Sequence, residues 1–172
     1  RGYAYRLVSY FQCLTSAVNH HARARPFEAL VARSLPHLLS AFACINARKH
    51  DTDLNKAELV RLLLACVWAY PQAAAALTDA HVDALLANHV CVEAGGKLVA
   101  QYNALALSNY YRLLLGVCAQ RAPLTRKLMQ HPALLTAIEA FVMHSHQYPD
   151  VALALLEIVE LCKAQPQCRD EA

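Results

Sequence analysis

The sequence predicts an all-α protein, and three observations carry that expectation. Ala (32) and Leu (28) supply more than a third of the 172 residues, and they stand near the top of the helix-propensity scale. Only 4 Gly and 7 Pro are present, too few for a collagen-like or low-complexity chain. β-Branched residues and turn glycines are also too sparse for a sandwich or barrel. Apolar residues recur at helical spacing in one segment after another. A hydrophobic fraction of 57% against 17% charge excludes a disordered chain. A domain of this size buries about 70% of its unfolded surface, so a core forms without staples.

The first helix is expected over Tyr3–Ala24. Leu7, Tyr10, Phe11, Leu14 and Val18 form one stripe of a 3.6-residue period. Arg25-Pro26 closes it, because proline disfavours helical geometry in the residue before it. A second helix spans about Phe27–Arg48, and Pro36 inside it predicts a kink or a split into two short helices. His50-Asp51-Thr52-Asp53 is a polar connector. Asn55, with Glu58 three residues on, reads as the N-cap of a third helix, Lys56–Tyr70. That helix is apolar nearly all round. Leu59, Leu62, Leu63, Cys66, Val67 and Tyr70 make one face, and Val60, Leu64 and Trp68 fill much of the other. Such a helix is expected at the centre of the fold, with Trp68 buried.

Pro71 opens a short Ala-rich helix to Leu77, and Thr78-Asp79 caps another over Ala80–Asn88. Cys91–Lys97 holds the pair Gly95-Gly96, the clearest loop in the chain. After a helical stretch from Leu98 to Leu107, Ser108 is expected to cap a helix over Asn109–Gln120. Pro123 starts a short helix to Gln130. Pro132 takes the first position of the next, where its missing N–H costs nothing, with Leu134, Leu135, Ile138, Phe141 and Val142 as its stripe. After Tyr148-Pro149-Asp150 a last helix runs from Val151 to about Ala164. Its face is Val151, Leu155, Ile158, Val159 and Cys162.

A weak repeat runs through these segments. Leu62-Leu63-Leu64-Ala65-Cys66 precedes Pro71, Leu113-Leu114-Leu115-Gly116-Val117-Cys118 precedes Pro123, and Leu155 to Cys162 precedes Pro166. The prolines stand 52 and 43 residues apart. Two or three helices per unit at about 40–47 residues is the pattern of HEAT and armadillo repeats. The expected architecture is therefore an armadillo/HEAT-like α-solenoid, although any Leu-rich bundle shows some such echo. We expect one helical-repeat segment over 1–172, with a subdivision into 1–94 and 97–172 at the Gly95-Gly96 loop. The chain starts at Arg1 and stops at Arg169-Asp170-Glu171-Ala172 in what reads as mid-sequence. We therefore expect a fragment of a longer protein, with neighbouring repeats covering apolar faces.

Candidate chemistry is thin. The richest apolar run, Leu62–Tyr70, ends at Pro71, well short of the ~18 residues that a membrane span needs, despite a mean hydropathy of +0.23. A net charge of +3 is too mild to imply a polyanion partner. Seven cysteines (13, 44, 66, 91, 118, 162, 168) include no CxxC pair. They read as reduced core thiols of an intracellular protein, cytoplasmic or nuclear, rather than a disulfide framework. His20-His21, His89-x-Cys91, His144-x-His146 and Cys162-x5-Cys168 lack zinc-ligand spacing and read as helix-end or surface residues. Cys91, near His89, is the best placed thiol for nucleophilic chemistry, but no family-type signature surrounds it. Gly95-Gly96-Lys97 is no phosphate loop, and Asp51 with Asp53 lacks the Gly and distal Glu of a calcium loop. Arg23/Arg25/Arg33, Arg48-Lys49 and Arg121/Arg126/Lys127, with Tyr102, Tyr110 and Tyr111 between the last two groups, invite a nucleic-acid reading. They read better as helix-end charges and core-edge rings.

From Asn109 onward the landmarks follow a familiar order. They are Asn109-Tyr110-Tyr111, Pro123-Leu124-Thr125-Arg126-Lys127-Leu128, Gln130-His131, His144-Ser145-His146-Gln147-Tyr148-Pro149, and Ala164-Gln165-Pro166 with Arg169-Asp170-Glu171. This order resembles the helical region that follows the catalytic domain in very large ubiquitin-specific proteases. Residues before Asn109 match only in being helical and Leu-rich. The chain also departs from the pattern in having Leu134 and Leu135 where bulky aromatics are expected. The resemblance implies a parent cysteine protease that removes ubiquitin, and a non-catalytic armadillo-like segment within it. The partners it implies are ubiquitinated substrates or the parent's own catalytic domain. The family's nucleophile lies in an Asn-Thr-Cys box and its base follows Gly. No cysteine here follows Asn-Thr and no histidine follows Gly. No catalytic, cofactor-binding or metal-ligating residue is assigned, and neither nucleic acid nor membrane is an expected partner. The second reading is a helical-repeat adaptor segment of an unrelated large protein.

Overall fold

A computed structural model describes residues 2–22, 24–46, 52–75, 77–87, 104–120 and 122–164. The described residues are helical, with no strand among them. In chain order the helices are α1 (Gly2–His20), α2 (Arg25–Asn46), α3 (Thr52–Ala69), α4 (Pro71–Ala75), α5 (Asp79–Ala87), α6 (Ala104–Ala119), α7 (Ala122–Met129), α8 (Pro132–Met143) and α9 (Pro149–Ala164). They fall into two compact units, Arg1–Asn88 and His89–Ala172.

The first unit is organised by α3. Leu59, Val60, Leu62, Leu63, Cys66 and Val67 are all buried, each large aliphatic side chain contributing about 1.5–3 kcal/mol. No single helix covers so wide an apolar arc. Three neighbours do, as α1, α2 and α4 all pack on α3. The outermost strip stays open. Trp68 is 63% exposed and Leu54 55% exposed, so the expectation of a buried Trp68 is wrong. Hydrophobicity alone did not reveal which side of α3 lacked a neighbour.

Pro36 does not divide α2, which is assigned as one helix. Val31 and Leu35 before the proline and Leu39 and Phe42 after it are buried in one row. Anchoring on both sides outweighs the roughly 3 kcal/mol that an internal proline costs. Ser40 Oγ donates to the Pro36 carbonyl at 3.0 Å.

Caps moved as well. Because α3 begins at Thr52, Asn55 lies inside it, buried rather than capping. Ser108 likewise lies inside α6, 2% exposed. Burial of Ala106 and Leu107 extends α6 upstream of the expected start. The Thr78 cap holds. The Thr78 backbone N–H donates to His81 Nδ1 at 3.0 Å, and the His81 N–H donates to the Thr78 carbonyl at 3.0 Å. The His81 side chain thus reaches back to the Thr78 N–H, the return half of a capping box, with histidine in the usual Glu position.

In the second unit α9 is central and packs on α6, α7 and α8. Val151, Leu155, Ile158 and Cys162 face inward, with Ala152 and Ala154 beside them. An edge-to-face ladder crosses the core. Tyr111 meets Phe141 at 6.3 Å, and Phe141 meets Tyr148 at 5.5 Å. Pro132 opens α8 as expected, behind His131 in extended geometry. On that helix Leu135 is 45% exposed, and Ala137 is buried in its place.

Two outcomes are expected. Leu63→Ala lowers the unfolding free energy by about 2–5 kcal/mol in urea titration, because Leu63 is enclosed on every side. Trp68 emission resembles solvated indole in the native state and shifts little on unfolding.

Candidate protein-binding groove

The helices α1 and α2 both pack on α3 yet hardly touch each other. The gap between them is a half-open groove of about 400 Å³. Tyr10, Leu14 and Val18 of α1 form one wall, at i, i+4 and i+8. Phe27, Leu30, Val31, Ser34, His37 and Leu38 of α2 form the other. Leu62 and Cys66 of α3 make the floor. The groove is an outcome of register. Phe11 and Val18 are buried against α3, while Tyr10, one residue off that line, is 59% exposed. The single apolar stripe read in α1 is thus shared between core and groove.

Phe27 of the groove wall also belongs to a ring cluster. His21 stacks on Phe27 at 5.2 Å, and Phe27 faces Tyr70 at 6.3 Å. The Tyr70 hydroxyl donates to the His21 carbonyl. Above α3, Gln12 Nε2 donates to Glu58 Oε1 at 3.1 Å, and Arg61 lies 3.9 Å from the same carboxylate. The polar groups lining the groove are the Tyr10 phenol, the Ser34 hydroxyl, the His37 imidazole and the Cys66 thiol.

The other sequence candidates are dispersed. His20 and His21 meet edge to face at 4.9 Å, and His144 and His146 stand 6.3 Å apart in an exposed turn. Among the described residues no group of three or more His, Cys, Asp or Glu is placed to hold a metal ion. His89, Cys91, Gly95-Gly96-Lys97, Asp51 and Cys168 lie outside the described residues, as do Arg23, Arg48-Lys49, Tyr102 and Arg121. Tyr110 and Tyr111 are buried, so they offer no stacking platform beside Arg126 and Lys127. Among the described residues no helix is long and apolar enough to cross a membrane.

Cys66, Cys118 and Cys162 are buried free thiols, and Cys13 is exposed and free. Burial pushes the Cys66 thiol from 9.0 up to about 12. Burial does the same to Cys118, helped by the neighbouring Cys162. Burial thus favours the protonated thiol at Cys66 and Cys118, where both side chains pack in the core. Comparison with known protein families, with curated proteins and with solved structures finds no match.

An alkaline instability follows from the thiols. Below pH 9 folded and unfolded chains both keep their thiol protons, and the stabilisation is complete. Between pH 9 and about 12 the unfolded chain releases protons that the native state holds, so stability falls as pH rises. Urea midpoints measured across that range should fall less steeply for a Cys66→Val/Cys118→Val variant than for the wild type.

Proposed function

We propose that the chain is a non-catalytic, armadillo/HEAT-like helical-repeat segment that holds protein partners within a large ubiquitin-specific protease. The observation that carries the binding role is the apolar groove between α1 and α2, floored by Leu62 and Cys66. A half-open apolar channel flanked by helices suits a helix of a partner, docked through anchors at i, i+3 and i+4. The repeat reading is supported by a recurring succession. The Leu-rich α3 is followed by a short helix opened by Pro71, and the Leu-rich α6 by a short helix carrying Pro123 in its first turn. Intracellular residence, cytoplasmic or nuclear, is part of the same proposal and is supported by the free thiols.

The link to ubiquitin rests on the resemblance between Asn109 and Glu171. Within that stretch Tyr111, Phe141 and Tyr148 meet edge to face, which gives Tyr148 of Gln147-Tyr148-Pro149 a packing role. One observation favours the second reading, an adaptor segment of an unrelated large protein. The groove lies in the first unit, outside the stretch that carries the resemblance.

The purified chain should leave a ubiquitin–fluorophore substrate uncleaved, and cleavage would overturn the scaffold reading. Upstream sequence of the same open frame should encode an Asn-Thr-Cys box and, further on, a Gly-His box. A frame lacking both sinks the protease half of the proposal and leaves the adaptor.

A further inference from the structure

We propose that the α1/α2 groove accepts the exposed face of α9 from a second copy of the chain, so that copies associate through unlike surfaces. The inference rests on the protein-binding reading of the groove and names its occupant. Charge complementarity selects that occupant. Helix α1 carries Arg6 and no carboxylate, and α2 carries Arg25 and Arg33 against the single Glu28. Arg6 stands one turn before Tyr10, and Arg33 stands one turn before His37; both arginines are exposed. Neighbours four residues apart share a helix face, so the apolar channel has a basic rim on each wall.

The outer face of α9 has the opposite character. Leu153 is 50% exposed and Leu156 46% exposed, at the i, i+3 spacing that fills a helical groove. Asp150, Glu157 and Glu160 lie exposed on the same side. Lys163 is the basic residue there, and it is held by Glu160 at 2.9 Å. The inward face of α9 already serves its own unit, so docking needs no unfolding. An apolar channel with cationic edges thus meets a leucine pair flanked by carboxylates. A nucleic acid would gain nothing from the apolar floor. Because groove and helix face are different surfaces, the contact is heterologous, and copies form rings or open chains.

Sedimentation of the full chain tests this. One helix in one groove is a small interface, so association is expected at about 10–100 μM. Leu30→Asp, which spoils the groove, and the double variant Leu153→Asp/Leu156→Asp, which spoils the helix face, should each sediment as monomers with unchanged helicity. Mixed in equal amounts they should form a dimer and nothing larger, because each keeps the surface the other lost. Should either variant fail to fold, charge reversal replaces it. Arg33→Glu should weaken association several-fold, and Glu157→Arg/Glu160→Arg in a mixing partner should restore it. A wild type that stays monomeric to about 500 μM, well above the weak range typical of a small contact, overturns the proposal. So does a mixture that fails to recover association. Neither result touches the ubiquitin-substrate assay or the upstream reading frame, so the two readings fail separately.

Discussion

The wide apolar arc of α3 is the constraint on which the first unit depends. An ordinary surface helix hides one stripe, and one neighbour suffices. Here Leu59, Val60, Leu62, Leu63, Cys66 and Val67 all require cover, and α1, α2 and α4 supply it together. The two long helices that pack on α3 make few contacts with each other. The groove is the gap they leave, and Leu62 and Cys66 belong both to its floor and to the core. In the second unit α9 holds the corresponding place among α6, α7 and α8.

Polar groups inside these cores are few and mostly local. Thr15 Oγ1 donates to the Phe11 carbonyl at 2.9 Å, spending its hydroxyl within its own helix. Thr125 is the instructive case. It is fully buried, its hydroxyl donates to the Cys118 carbonyl at 3.2 Å, and its own carbonyl receives the Cys162 thiol at 4.0 Å. One threonine on a short helix thereby ties the end of α6 to the end of α9. The raised thiol pKa values of Cys66 and Cys118 belong to the same picture of dry, close-packed interiors.

The groove presents apolar walls from two helices over a floor shared with the core. Its Leu and Tyr walls, with arginines on the outer sides of both helices, are the features on which the proposed binding role rests. Exposed leucines on α9 extend that reading to the second unit. In the proposed solenoid, such faces are where a neighbouring element would pack.

Helical class, most helix positions and the central role of the Lys56–Tyr70 segment were legible in the sequence. Each depends on local propensity and on 3.6-residue periodicity, which are written along the chain. Pro71, Pro123 and Pro132 marked helix starts correctly, because proline acts on its own backbone. Pro36 does not split α2, because whether an internal proline divides a helix depends on how firmly the flanking turns are anchored, and that anchoring is tertiary. Asn55 and Ser108 misled because α3 and α6 begin upstream of them, and in α6 the burial of Ala106 and Leu107 accompanies the longer helix. Trp68, Tyr10 and Leu135 show the limit most plainly. Periodicity assigns a residue to an apolar face, but only the arrangement of neighbouring helices decides whether that face meets core, groove or solvent. The sequence by itself determined an Ala/Leu helical protein with more apolar surface than each helix alone can hide. Tertiary structure decided where the excess lies, because burial belongs to pairs of surfaces and not to single residues.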